Sequence, residues 1–246
     1  MKIKINISTF ILLFLASITG LYKEFLIIFI IIIVHEMGHF LAGYIYKWNF
    51  DKIEIFPFGG CVKFNESLNK SINEELIILL SGPLIQVLLF LFVSIIYKNG
   101  FISYRNYNLF KMYHYMLLIF NLLPIYPLDG GRIVNLFLYK VMPYKLSNKI
   151  MILISLVTII ISCFIYKNIN YIFMAIMIIF DLLKYLKEQE YLFNKLLLER
   201  LMYKYSFKKI KVIKNINRFY KERKHFIKVN DHYIDENEYL SMRYGG

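Results

Sequence analysis

Two cysteines in 246 residues, Cys61 and Cys163, are too few for a disulfide framework, so packing rather than covalent stapling must hold this chain together. No Cys/His finger and no aromatic RNA-binding pattern accompanies the formal charge of +13, and about half of the Lys and Arg lie from Lys184 onward. A basic footprint without a readout element argues against nucleic acid, and for anionic lipid headgroups or an acidic protein substrate. The two halves share no repeated pattern, which counts against transporters built from internal repeats. Acids are scarce as well, 17 Asp and Glu against 30 Lys and Arg, and nearly all of them sit in loops, near the ends of apolar runs or in the tail.

What the chain has is apolar length. With 58% hydrophobic residues and a positive mean hydropathy, it reads as a polytopic membrane protein rather than one or two soluble domains. Runs long enough to span occur at 5–21, 25–46, 76–97, 112–125, 150–166 and 171–186, against a need for roughly 20 residues per helix. The expected fold class is an all-α polytopic membrane protein of about six transmembrane helices, with a β-hairpin at the membrane face and a small cytoplasmic α+β tail. The corresponding domains are a transmembrane domain over 1–186 and a basic tail over 187–246. The fourth run is short and broken by Pro124 and Pro127, and helices interrupted at membrane depth line cavities where freed backbone groups find partners. The first run also has features of a secretory signal, but Ser17-Ile18-Thr19-Gly20 is a poor cleavage site and another apolar run follows at once. With the N-terminus inside, ten loop Lys and Arg fall on the cytoplasmic side and five opposite, so both termini are expected in the cytoplasm.

Within the second run stand His35-Glu36-Met37-Gly38-His39. Ionisable groups are costly inside a bilayer, which makes them functional candidates first. On a helix His35 and His39 lie one turn apart on one face, so two imidazole nitrogens can bind one metal, with Glu36 close enough to handle the proton of an activated water. The other constellation is Asn121-Leu122-Leu123-Pro124-Ile125-Tyr126-Pro127-Leu128-Asp129-Gly130-Gly131-Arg132. A catalytic zinc takes three protein ligands, and Asp129 is the best-placed remaining carboxylate; its other reading is the N-cap of a helix over 130–139. Asn121 can give its amide to a substrate carbonyl or serve as a helix-packing hydrogen bond.

Between the second and third runs, Lys52-Ile53-Glu54-Ile55 and Cys61-Val62-Lys63-Phe64 alternate about Gly59-Gly60, predicting a hairpin with a glycine turn. It is either a connector or a strand edge to which an extended substrate adds by main-chain hydrogen bonds. Beyond Tyr203 the pattern predicts a strand over 209–214, a helix over 215–223, strands over 226–229 and 233–234 about an Asn230-Asp231 turn, and a helix over 236–243. This is either a semi-ordered basic tail or a small docking or dimerising module. His225 and His232 are expected at the surface, and His114 in an interfacial position rather than on a metal.

The pairing of His35-Glu36-Met37-Gly38-His39 with the Asn121 to Gly131 segment resembles the site-2 protease family of intramembrane zinc metalloproteases. Phe56-Pro57-Phe58-Gly59-Gly60-Cys61-Val62-Lys63-Phe64 and Ser81-Gly82-Pro83 look like further landmarks, and the compact layout is most similar to the stage IV sporulation branch, which processes a sigma-factor precursor. The resemblance covers residues 1 to about 186. It implies Zn2+ held by His35, His39 and Asp129, Glu36 as the catalytic base, and substrate contact at Asn121 and Pro124. It also implies a membrane-tethered protein substrate of pro-sigma-factor type, inhibitory membrane partners, and residence in a bacterial cell membrane. Gln86 stands where many members carry Asn; a longer amide can still cross-link helices. The tail order resembles half of a paired cystathionine-synthase-type module, and at about 40 residues it is too short for the pair.

On the residues alone two other classes stay open. A transporter or channel also uses broken helices and intramembrane polar residues but has no need of a Glu between two His, and a non-catalytic scaffold could carry the same metal site.

Overall fold

A computed structural model describes residues 2–5, 17–56, 59–64, 66–165, 169–203, 205–229 and 232–244. The chain packs as two compact units, Met1–Glu66 with Leu76–Asn121, and Ser67–Glu75 with Leu122–Gly246.

In the first unit, strand β1 (Lys2–Ile5) runs parallel to β2 (Phe50–Phe56), which pairs antiparallel with β3 (Gly59–Phe64). Between β1 and β2 in the sequence comes helix α1 (Tyr22–Ile45). Its Ile-rich stretch would favour a strand in water, but in lipid only a helix closes every backbone hydrogen bond within the segment. The helix ends where Lys47 adopts a left-handed φ of 55° and Trp48 N–H reaches back to the Gly43 carbonyl at 2.9 Å. One stripe of α1 is buried, Phe25, Ile31, Ile32, His35, Gly38, His39, Ala42 and Gly43, at the three- and four-residue spacing of a helix face. The opposite face, Ile30, Met37 and Leu41 among it, is exposed and equally apolar. Helices α2 (Ile72–Lys98) and α3 (Tyr104–Leu122) complete the helical part of this unit from Leu76 onward.

The second unit holds α4 (Asp129–Val141), α5 (Tyr144–Ile165) and α6 (Ile169–Met202). On α5 the usual polarity is inverted: Ser147, Asn148, Ser155 and Ser162 are buried while Leu153, Val157, Ile160 and Phe164 are exposed. A helix that hides hydroxyls and amides and shows aliphatic side chains is built for an apolar solvent. Among the described residues, three helices are long and apolar enough to cross a membrane, α1, α2 and α5. Of the other expected runs, the first lies mostly outside the described residues, the fourth is α3 and the sixth is the first half of α6.

The tail forms a three-stranded sheet, β4 (Ile210–Ile213) parallel to β5 (Lys224–Val229) and β6 (His232–Asp235) antiparallel to it, followed by α7 (Glu236–Tyr244). Its order rests on Arg200 at the end of α6. The buried guanidinium bonds the Tyr220 carbonyl at 3.0 Å, the Arg223 carbonyl at 2.8 Å, Asn69 Oδ1 at 2.6 Å and the Glu236 carboxylate at 3.1 Å, and also the Lys221 carbonyl. Phe207 and Phe219 lie against its plane at 4.1 and 4.5 Å. Glu222 accepts from the Ile72 N–H at 2.7 Å, so the tail caps the start of α2.

Three expectations change. The glycine pair is not the hairpin turn: Gly59 pairs with Phe56 and Gly60 with Ile55, leaving only residues 57 and 58 between the strands, and these lie outside the described residues, as does the Asn230-Asp231 turn. The helix expected over 215–223 shrinks to a 3-10 turn, Ile216–Arg218: the Phe219 carbonyl accepts from Tyr144 N–H at 2.8 Å and Tyr220 N–H donates to His225, so neither is left to continue a helix. His225 is buried, not at the surface: its Nδ1 meets Glu236 Oε2 at 3.0 Å and its Nε2 accepts from Tyr220 N–H at 3.1 Å. His232 is exposed as expected.

Candidate metal centre

Both His35 and His39 lie on the buried stripe of α1, and Glu36, next to His35, is half-buried. They can sit there because α1 and α2 approach closely at two glycines. A Cβ on Gly38 would come 2.5 Å from the Ser81 carbonyl oxygen, and one on Gly82 would come 2.9 Å from His35 Nε2. Ser81-Gly82-Pro83 therefore makes room for the imidazoles as well as for the helix. His39 Nδ1 meets the Ile78 carbonyl oxygen at 2.7 Å, and His35 Nδ1 meets Gln86 Oε1 at 3.0 Å. A backbone carbonyl only accepts, so His39 carries its proton on Nδ1 and, in the neutral ring, presents Nε2 as a lone pair. The two Nε2 atoms face each other 3.2 Å apart.

Asp129 is the first residue of α4. The N-cap is Leu128, in an extended conformation with no capping side chain, so the reading of Asp129 as an N-cap does not hold. The preceding loop is folded back on itself by Ile125 N–H to the Leu123 carbonyl at 2.7 Å and Leu128 N–H to the Ile125 carbonyl at 2.9 Å. Tyr126 N–H, freed by the broken helix, is taken up by Ser155 Oγ on α5 at 2.9 Å, as interrupted helices in lipid require. Gly130 and Gly131 pack so closely on Leu123 and Tyr126 that a Cβ at either would come within 2.5 Å of backbone. Asn121 is half-buried in the last turn of α3, and Pro124 is half-buried in the loop after it.

One donor atom from each of His35, His39 and Asp129 lies within 4.8 Å of the others, a group that can hold a metal ion. The fit is chemical as well as spatial. Two nitrogens and one carboxylate oxygen are the ligand types of a catalytic zinc site, and each imidazole has its far nitrogen engaged by an acceptor, as zinc-binding histidines do. His114 stays outside the group, buried among Phe90, Phe110 and Tyr115. Sequence reasoning missed the Ile78 carbonyl and Ser155; the first leaves no trace in side-chain identity, and the second shows only as a serine in an apolar run.

The family model for peptidase family M50 matches residues 23–104 and 99–165. The stage IV sporulation protein FB of Bacillus subtilis is 30% identical over 150 residues, covering 61% of this chain and 52% of that protein. A zinc metalloprotease of Methanocaldococcus jannaschii is 30% identical over 162 residues, covering 61% of this chain and 47% of that protein. The chain thus spans about half the length of these relatives. Among solved structures, the site-2 protease from Methanocaldococcus jannaschii superposes with a TM-score of 0.55 at 28% identity, covering 74% of this chain and 89% of that one.

Proposed function

From the premise that this chain belongs to peptidase family M50, a family of zinc metalloproteases, we propose that it cleaves a membrane-associated protein within the plane of a bacterial membrane. The carrying observation is the convergence of His35, His39 and Asp129 within 4.8 Å. In this reading these three hold Zn2+, six helices span the bilayer, and both termini lie in the cytoplasm. When bound, zinc acts as a Lewis acid that polarises the peptide carbonyl and makes water nucleophilic near neutral pH. Glu36 takes the proton from that water and returns it to the leaving amine, the work of a general base turned general acid. Asn121 donates its amide to the carbonyl oxygen on which charge develops, Pro124 shapes the substrate wall, and the hairpin edge keeps the substrate extended. The similarity to a stage IV sporulation protein supports a sigma-factor precursor as the substrate and sporulation as the setting. A transporter or scaffold reading is not favoured: the matched family and the similar proteins are metalloproteases, and a transporter has no need of an acid between the histidines.

Metal content and cleavage measured together on Asp129→Asn test the reading. An amide oxygen is a weaker zinc ligand than a carboxylate, so both should fall; normal values for both would refute the site.

A further inference from the structure

Gln86 is fully buried on α2, and both ends of its amide are engaged. Nε2 donates to the backbone carbonyl of His114 on α3 at 3.0 Å, and Oε1 faces His35 Nδ1 at 3.0 Å. The His114 carbonyl has no proton to give, so only the amide nitrogen can bond to it. That turns the amide oxygen toward His35 and makes His35 Nδ1–H the donor. The grip on His114 is doubled one turn along α2, where Phe90 stacks on the His114 ring with centroids 4.6 Å apart and planes at 16°.

The orientation decides between two states of the histidine pair. With the amide reversed, His35 Nδ1 would accept, and His35 Nε2–H would donate to His39 Nε2 at 3.2 Å. That pair is satisfied internally, but only one of its Nε2 atoms keeps a lone pair, and it cannot bind a metal through both. With the amide as held by His114, both rings present an Nε2 lone pair on the same side, as binding one metal ion through both requires.

We propose that Gln86 is a positioning residue that holds His35 in the metal-competent tautomer and takes its own orientation from the His114 carbonyl, on the helix that ends in Asn121-Leu122. Its effect on zinc affinity rests on the reading of the preceding subsection; the tautomer is a property of the metal-free chain. The test uses the full chain, 15N-labelled at histidine, in lipid bilayers at alkaline pH. In the metal-free wild type, His35 is expected protonated at Nδ1. Gln86→Met keeps the volume and removes both bonds, so His35 should turn over to Nε2–H, with zinc affinity falling about 10–100-fold, the usual effect of losing such a partner. Gln86→Glu keeps an acceptor oxygen and should retain Nδ1–H and near-wild-type affinity. His39, whose proton is set by the Ile78 carbonyl, should not change in either variant. Unchanged His35 tautomer and affinity in Gln86→Met would overturn the proposal, and so would a shift of His39 along with His35, which marks general loss of structure. A wild-type chain that binds no zinc would instead sink the protease reading, while the metal-free spectra still decide the role of Gln86.

Discussion

Gly82→Ala should cost the protein its metal before it costs the fold. The added Cβ would stand 2.9 Å from His35 Nε2 and 2.5 Å from His39 Cε1, against ordinary contacts of about 3.5 Å, so the rings must retreat by roughly 0.6 and 1 Å. They are not free to swing, because each is held at Nδ1, by Gln86 and by the Ile78 carbonyl. A zinc site tolerates ligand displacements of only about 0.2 Å. Overpacking of this kind costs about 1–3 kcal/mol. Since the metal-free rings can relax more readily than ligated ones, most of that cost falls on the complex. At ~1.4 kcal/mol per tenfold, zinc binding should weaken about 5–150-fold. Chelator competition on the purified chain reads the affinity, and thermal unfolding of the metal-free form reads the fold. Gly38→Ala is the contrast, since its Cβ meets the Ser81 backbone rather than a ring; it should lower the melting temperature of the metal-free chain. Zinc affinity of Gly82→Ala within a factor of two of wild type would refute the close-approach argument.

Glu36→Gln should bind zinc normally yet cleave a membrane-tethered substrate ~10²–10⁴-fold more slowly, the range for losing a general base; residual activity above a few per cent removes Glu36 from that role. Burial pushes the His225 imidazole down, although its hydrogen bond to Glu236 opposes this. The unfolded chain therefore takes up the proton first, so the tail is fully stable above about pH 6.5 and loses stability as the pH falls from there toward the folded pKa. Limited proteolysis beyond Tyr203 at pH 7.5 and 5.5 measures this, and His225→Gln should remove the difference. Arg200→Met leaves the Glu236 carboxylate buried without its cation and should destabilise the tail by about 3–5 kcal/mol in denaturant unfolding; a loss under 1 kcal/mol would contradict the hub assigned to it.

How far the residues alone could lead varied with the kind of contact involved. The histidine pair was legible because helical spacing maps directly onto a shared face, and Asp129 because nearly every other acid lies in a loop, near a span end or in the tail. Gln86 was read as a cross-link between helices, but its reach to a backbone carbonyl leaves no mark in the sequence. Strand β1 went unread because Lys2-Ile3-Lys4-Ile5 alternates with a strand's period yet also looks like the charged start of a span, and its partner β2 lies some fifty residues on. The helix over 215–223 had adequate propensity, and tertiary contacts overrode it: Tyr144 takes the Phe219 carbonyl and His225 takes the Tyr220 N–H that the helix would have used. His225 looked exposed because its neighbours are basic, and its burial depends on Glu236, eleven residues later.

The meeting of Gly38 and Gly82 also sets how α2 can move. Gly82 stands ten residues from Ile72 and sixteen from Lys98, arms of about 15 and 24 Å at the helical rise. Contact without side chains makes that point a fulcrum. A tilt of α2 by about 5° would carry its Lys98 end some 2 Å sideways, by the same rise, while leaving the backbone beside the imidazoles almost where it was. The ends of α2 can therefore shift sideways while the glycine contact keeps the backbone beside His35 and His39 in place.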